Sequence, residues 1–342
     1  MTDSIISKHR SAVMGFAAVI IMLFHFFPCL YGDLHIPVIS SLLLRGNIGV
    51  DIFLFLSGIG LYCSMSKDSS PLPFYRKRIR RVIIPALLIS LPYWIGTDFL
   101  FLHKGLPAFL EDWSGLSYWT KGNGTVWYVS LIVILYLLYP AIFRMTKNRI
   151  PAMLGLLAAV YAAVTAAFLC IPEQFDLRET ALTRIPIFLI GSLSGEILLA
   201  QPEQKKRIRA VIQGYTALML ILFAAAFFVP ENRPETANLL YRFGSGGAAI
   251  FISMLLSYAL EKRKPVHLEN VLNTLGGISL ELYLIHVFLK NLIGATHLGA
   301  NSGAAVQICI IAAAIAVSVL LSLGAGKLER MIWNHFAARS AA

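Results

Sequence analysis

Ten apolar stretches, each close to twenty residues long, constrain the fold of this chain more than any other feature. They cover residues 11–30, 47–66, 82–101, 126–143, 151–170, 184–200, 210–229, 239–260, 275–293 and 304–325. About 20 helical residues cross the hydrocarbon of a bilayer, and in lipid only helices and closed barrels satisfy their backbone hydrogen bonds. These stretches are too long and continuous for barrel strands. The sequence therefore predicts an all-α polytopic membrane bundle of about ten transmembrane helices, formed by a single domain over residues 1–342.

Positive charge predicts how this bundle is oriented. With the N-terminus in the cytoplasm and a reversal at every span, the cytoplasmic segments hold 21 of the 29 Lys and Arg residues. Short cytoplasmic loops of membrane proteins collect these residues, so both termini are predicted to be cytoplasmic. The same rule accounts for the formal net charge of +11, and no nucleic-acid partner is predicted.

Ionisable side chains inside the predicted spans are functional candidates, because a charge in lipid is costly unless it is paired or hydrated. They include His25 in the first span, Asp51 in the second, Arg184 in the sixth, and Glu281, His286 and Lys290 in the ninth, beside Tyr283. His286 and Lys290 share a helix face, which is predicted to line a polar cavity. The alternative is that these groups form structural pairs, such as Glu281 with Lys290. Two histidines in the outer half favour proton transfer near the outer face.

A basic segment joins the second and third predicted spans. It holds Arg76, Lys77, Arg78, Arg80 and Arg81 within six residues. Arginine binds phosphate through paired hydrogen bonds, whereas attraction to anionic lipid headgroups would explain the same cluster. Five basic residues exceed what orientation requires, which favours an anionic cytoplasmic ligand. No metal site is predicted.

Six short motifs follow one another along the chain. They are Met14-Gly15-Phe16-Ala17 through Leu23-Phe24-His25; Gly49-Val50-Asp51-Ile52-Phe53 with Leu56-Ser57-Gly58; Phe74-Tyr75 with Arg78, Arg81 and Pro85; Trp127-Tyr128 with Tyr136 and Pro140; Arg184-Ile185-Pro186 with Phe188 and Gly191; and Ser279 through His286. In this order the set resembles the acyltransferase-3 family of bacterial integral-membrane O-acyltransferases, over about residues 8–290. The family places an arginine eleven residues before its first histidine, whereas here that position is Met14 and Arg10 lies one helical turn earlier.

The resemblance implies a multi-pass enzyme of the bacterial plasma (inner) membrane. It would be an O-acetyltransferase that moves an acyl group from cytoplasmic acyl-CoA to a hydroxyl of a cell-surface or lipid-linked glycan, as in polysaccharide modification. Acetyl-CoA would be a co-substrate, and no tightly bound cofactor is expected. The alternative function is a proton-coupled secondary transporter or glycan exporter, although paired repeats and broken helices typical of transporters are not evident in the sequence.

Within this interpretation each candidate residue has a predicted role. His25 is the general base or is transiently acylated, and His286 is a second proton carrier or an oxyanion donor. Glu281 or Tyr283 would orient His286, and Asp51 would orient a histidine. The remaining predicted contacts are Arg76, Arg78 and Arg81 with the CoA phosphates, and Trp127, Tyr128, Arg184 and Lys290 with the acceptor.

Overall fold

The structure is a computed structural model that describes residues 2–30, 43–298 and 302–341, and no strand occurs among them. The all-α prediction is therefore confirmed for this part of the chain. Most of the predicted loop between the first two spans, and the terminal residues 1 and 342, lie outside the described residues.

The helices follow in chain order with short connections. They are α1 Thr2–Lys8, α2 Arg10–Phe26, α3 Ile48–Lys67, α4 Pro71–Arg78, α5 Ile84–Trp94, α6 Leu106–Trp113, α7 Leu116–Lys121, α8 Trp127–Thr146, α9 Ile150–Cys170, α10 Pro172–Asp176, α11 Glu179–Leu182, α12 Ile185–Ile197, α13 Pro202–Ala225, α14 Pro234–Arg263, α15 Val266–Gly277, α16 Ser279–Thr296 and α17 Ala304–Ala341. Two π-helical segments, Ile79–Ile83 and Ile95–Phe101, continue α4 into α5 and extend α5. Proline stands in the first turn of many of these helices, where its missing N–H is no loss.

Each of the ten predicted apolar stretches coincides with a helix. Within the described part of the chain, seven helices are long and apolar enough to cross a membrane, and the bent pair α15 and α16 would make an eighth. The first and sixth stretches form shorter helices, Arg10–Phe26 and Ile185–Ile197. A multi-pass membrane protein is thus established, while the count of ten spans stays a prediction.

Helix α3 lies at the centre of the bundle and packs against α2, α8, α12 and α14. Its crossing with α12 is close because glycines face backbone on both sides. A Cβ at Gly58 would overlap the carbonyl oxygen of Phe188, and a Cβ at Gly191 would overlap that of Phe55. Small residues at such crossings let membrane helices approach and pack without a hydrophobic driving force.

A second close crossing fixes the position of the candidate site. A Cβ at Gly15 of α2 would overlap the carbonyl oxygen of Leu272, and a Cβ at Gly276 would overlap that of Ser11. Helices α15 and α16 meet at an angle of 74° directly after this contact. The bend turns α16 along α2, so the part of α16 that carries His286 lies beside the end of α2 that carries His25.

The helices at the periphery of the bundle have the apolar surface expected of a membrane protein. Helices α9, α13 and α17 expose large apolar side chains such as Leu169, Leu218 and Leu320. In water these surfaces would be unfavourable, but lipid accepts them. They form the lipid-facing layer around α3.

Candidate active site

The two predicted histidines are in direct contact. His25 stands near the end of α2 and His286 lies on α16, with His286 only 1% exposed. The Nδ1 atom of His25 is 2.8 Å from Nε2 of His286, and the ring centroids are 5.0 Å apart. Two residues 261 positions apart in sequence therefore form one imidazole pair.

The hydrogen bonds of this pair define which nitrogens carry protons when both rings are neutral. Nδ1 of His286 is 2.7 Å from the carbonyl oxygen of Leu282. A carbonyl can only accept, so His286 Nδ1 donates and His286 Nε2 holds a lone pair. That lone pair accepts the hydrogen bond from His25 Nδ1–H. The other nitrogen of His25, Nε2, therefore carries the lone pair that is still free to accept a proton. The geometry therefore presents His25 Nε2 as the basic atom.

Aromatic residues enclose the imidazole pair. The ring of Tyr283 is 5.9 Å from that of His286, and the ring of Tyr128 is 5.3 Å from that of Tyr283. The backbone N–H of Tyr128 donates to the Tyr283 hydroxyl at 3.4 Å, which ties α8 to α16. Lys290 follows His286 by one helical turn on the same side of α16.

A cavity of about 590 Å³ lies toward the other end of α2, and its lining includes Arg10 and Met14 but neither histidine. Tyr128 and Tyr283 also line it, and the ring of Tyr283 separates it from His286. An adjoining cavity of about 480 Å³ shares six of its lining residues, namely Arg10, Ser11, Ser57, Arg78, Arg81 and Tyr136. The shared wall carries three guanidinium groups and no carboxylate, which suits a phosphorylated ligand.

Arg10 contributes to this wall although the family position for an arginine is Met14. Its Nε donates to the carbonyl oxygen of Leu56 at 3.2 Å, and its guanidinium lies against Gly60. Met14 lines the same cavity one turn further along α2. The guanidinium is thus present in the cavity, supplied from one turn earlier.

Three sequence predictions about roles do not fit the structure. Glu281 does not orient His286, because the two lie five positions apart on a helix and face different sides; the Leu282 carbonyl binds the imidazole instead. Glu281 lines the cavity, with its Oε1 close to Gly326. Arg76 is exposed and lies outside the linings of both basic cavities, whereas Arg78 and Arg81 line them.

The third misfit concerns Asp51, which contacts Arg184 rather than a histidine. Arg184 Nε is 3.1 Å from Asp51 Oδ1, and both side chains are 1% exposed. The guanidinium carbon of Arg184 lies 5.2 Å from the ring centroid of Trp127. The burial of both charges favours the structural-pair alternative for this cluster, while the contact of Arg184 with the acceptor stays a prediction. Trp127 is half-buried.

Residues 102–123 form a compact segment that packs against α5, where Trp113 Nε1 donates to the carbonyl oxygen of Leu87 at 2.9 Å. Lys104 Nζ lies 2.9 Å from Asp98 Oδ1 and 2.7 Å from Asp112 Oδ2, while Asn123 Nδ2 donates to Asp112 Oδ1 at 2.7 Å. Burial opposes the charge on Asp112, but hydrogen bonds from Lys104, Ser117 and Asn123 outweigh it and lower its pKa. This ion-pair network holds the segment in place over α5.

Together these features define a multi-pass membrane protein with an internal acid–base pair beside a basic cavity. The acyltransferase 3 family model, described as an acyltransferase domain, matches residues 13–323. The chain therefore belongs to the acyltransferase 3 family, as the motifs predict, and this family implies acyltransferase activity. Searches of curated proteins and of solved structures gave no match.

Sequence reasoning missed two components of the site. The Leu282 carbonyl that fixes the tautomer is a backbone group and leaves no trace in residue identity. Arg330 of α17 lines the cavity. Helix α17 is longer than a bilayer requires, and this extra length is the feature that would have indicated a role outside the apolar layer.

Proposed function

We propose that the protein is an O-acetyltransferase of the bacterial plasma membrane that transfers an acetyl group from cytoplasmic acetyl-CoA to a hydroxyl of a cell-surface or lipid-linked glycan. The observation that carries the proposal is the imidazole pair, whose hydrogen bonds leave His25 Nε2 as the basic atom. Family membership supports the reaction class, and the arginine-lined cavity supports a CoA donor.

The proposed step uses this lone pair to remove the acceptor's proton. The hydroxyl oxygen attacks the thioester carbonyl carbon, a C–O bond forms, and the C–S bond breaks. His25 Nε2 takes the hydroxyl proton and returns it to the departing sulfur, so free CoA thiol and an acetyl ester result. As His25 Nε2 gains a proton, the Nδ1 proton can shift to His286 Nε2, which makes His286 the second proton carrier.

The same atom also serves a two-step route. His25 Nε2 attacks the thioester carbonyl carbon, the C–S bond breaks, and CoA leaves as a thiolate while the His25 Nδ1 proton shifts to His286 Nε2. The acceptor hydroxyl then attacks the acetyl-imidazole and the acetyl–nitrogen bond breaks. The proton on His286 returns to His25 Nδ1 and the hydroxyl proton goes to the CoA thiolate, so an acetyl ester and CoA thiol result. In both routes the thioester reaches the pair past Tyr128 and Tyr283. Both rings line the cavity, so a short acyl group has the least bulk to carry past them.

The proposal includes ten spans with both termini in the cytoplasm. Arg10 near the start of α2, Arg78 of the basic segment and Arg330 near the end of α17 line one cavity, so these segments lie at the same end of the bundle. A chain that crosses the membrane an even number of times must have both ends on the same side, as these segments do. The excess of Lys and Arg at that end supports its cytoplasmic location. The acceptor would approach from the opposite end, near Trp127 and Lys290.

Acetyl transfer by the purified protein in lipid nanodiscs tests the proposal. Acetyl-CoA and N-acetylglucosamine, a simple hydroxyl acceptor, are supplied, and both CoA thiol release and sugar acetylation are followed. His25→Ala should abolish both signals, whereas His267→Ala, which removes an exposed imidazole, should retain them. Normal transfer by a correctly folded His25→Ala protein would refute the assignment. Absence of any acetyl-CoA-dependent reaction in the unaltered protein would refute the choice of donor.

A further inference from the structure

The last helix is longer than a bilayer requires. Helix α17 spans 38 residues, or roughly 57 Å at 1.5 Å per residue, against about 30 Å of hydrocarbon. The match to the family model ends at residue 323, inside this helix. The final part of α17 thus extends past both the apolar layer and the matched domain.

This extension forms part of the donor cavity. Gly326, Glu329 and Arg330 line the same 590 Å³ space as Arg10 and Arg78. The lining contains four arginines against the two glutamates Glu281 and Glu329. A segment outside the family match therefore adds a guanidinium to the basic wall.

An aromatic contact holds the extension against the basic segment. The guanidinium carbon of Arg80 lies 4.2 Å from the ring centroid of Trp333, within the range of a cation–π interaction. Trp333 follows Arg330 by three residues, so both occupy neighbouring positions on one helix face. Arg330 is exposed and lines the cavity, so the contact holds the helical turn that carries Arg330 beside the basic segment.

The arginines differ in depth, and this difference matches the layout of acyl-CoA. Arg10 and Arg78 are half-buried, whereas Arg81 and Arg330 are exposed. With the thioester directed toward His25, the pyrophosphate follows and the adenosine 3′-phosphate lies furthest out. We propose that Arg330 binds this 3′-phosphate and that Trp333, held by Arg80, positions it. The inference rests on the proposed use of acyl-CoA as donor.

Binding of CoA and of dephospho-CoA, which lacks the 3′-phosphate, tests the assignment in the full-length protein in nanodiscs. Arg330→Gln should weaken CoA binding about tenfold, the effect of losing one charge-assisted hydrogen bond at an exposed site, and should leave dephospho-CoA binding unchanged. The control Lys327→Gln removes the same charge from an exposed position on this helix that does not line the cavity, and should change neither affinity.

Each contrary result has a separate meaning. Equal CoA affinity in Arg330→Gln and the unaltered protein would overturn the role of Arg330. An equal loss for CoA and dephospho-CoA would overturn the choice of phosphate. Failure of the unaltered protein to bind either nucleotide would overturn the donor in the proposed function, and with it this inference.

The positioning role of Trp333 has its own test. Trp333→Ala should raise the KM for acetyl-CoA severalfold with little change in kcat, and Trp333→Phe should restore it by supplying another aromatic face. An unchanged KM in Trp333→Ala, or the same loss in Trp333→Phe, would overturn this role.

Discussion

Replacing His286 separates two roles that the structure allows for this imidazole. In one role it only accepts a hydrogen bond from His25 Nδ1 and thereby keeps the lone pair on His25 Nε2. In the other it takes up the proton itself. His286→Gln tests the distinction because an amide oxygen at similar reach can accept from His25 Nδ1–H, but a side-chain amide does not carry a proton.

The expected magnitude follows from the hydrogen bond at 2.8 Å. Leaving a buried donor unsatisfied costs about 1–3 kcal/mol, which corresponds to roughly a 5- to 160-fold change in rate. His286→Ala should lose that much acetyl transfer, and His286→Gln should stay within about tenfold of the unaltered protein. His25→Ala removes the base itself and should lose about 10²–10⁴-fold.

Single-turnover release of CoA thiol from acetyl-CoA in nanodiscs measures these rates, normalised to the monodisperse fraction of each variant. His267→Ala serves as the control. Activity of His286→Gln as low as that of His25→Ala would show that His286 must carry the proton. Full activity of His286→Ala would refute any role for His286 in the transfer.

Further predictions concern stability and pH. Arg184→Ala leaves a buried carboxylate without its cation and should lower stability by about 3–5 kcal/mol, visible as a lower unfolding temperature in detergent. Lys104→Met should cost about 2–4 kcal/mol near pH 7. The pKa of Asp112 is lowered in the folded protein, so its ion pair contributes fully to stability above the ordinary pKa of 3.8. This contribution is lost as the pH falls through the folded-state pKa. Thermal scans at decreasing pH should therefore show the stability difference between Lys104→Met and the unaltered protein vanish. Gly58→Ala should cost about 1–3 kcal/mol through backbone overlap, whereas Gly155→Ala, with open space at its Cβ, should be neutral or stabilising in the same scans.

The helical elements could be predicted because the bilayer restricts what a long apolar stretch can form. Residues 126–143 are a case in point, since the structure has a helix over Trp127–Thr146. The bend between α15 and α16 could not be predicted this way. It follows Gly276 and Gly277, and only the contact of Gly276 with the Ser11 carbonyl shows why the chain turns there.

Sequence predicts those site residues whose burial in lipid costs free energy, but it does not predict which side chains contact one another. His25 and His286 can be recognised as candidates because a polar imidazole within an apolar stretch is unfavourable in lipid unless it serves a function. The partner of Asp51 was misassigned because both a histidine and Arg184 were available to a carboxylate, and sequence gives no distance between helices. The ion pair at 3.1 Å decides in favour of Arg184.

The placement of Arg10 and His25 on one helix sets a distance that any mechanism must bridge. Fifteen residues separate them, or roughly 22 Å along the axis, so the phosphates and the reacting carbon of one donor molecule would be held by the two ends of α2. A direct transfer requires an extended pantetheine arm to reach past Tyr128 and Tyr283, whereas the acetyl-imidazole route requires only that the thioester touch His25 once. Since the helix is fixed against α15 through Gly15, it acts as a rigid spacer. Under the proposed function, acyl chains longer than acetyl would have to fit between the two tyrosine rings and the imidazole pair, so we expect longer acyl-CoA donors to react more slowly than acetyl-CoA.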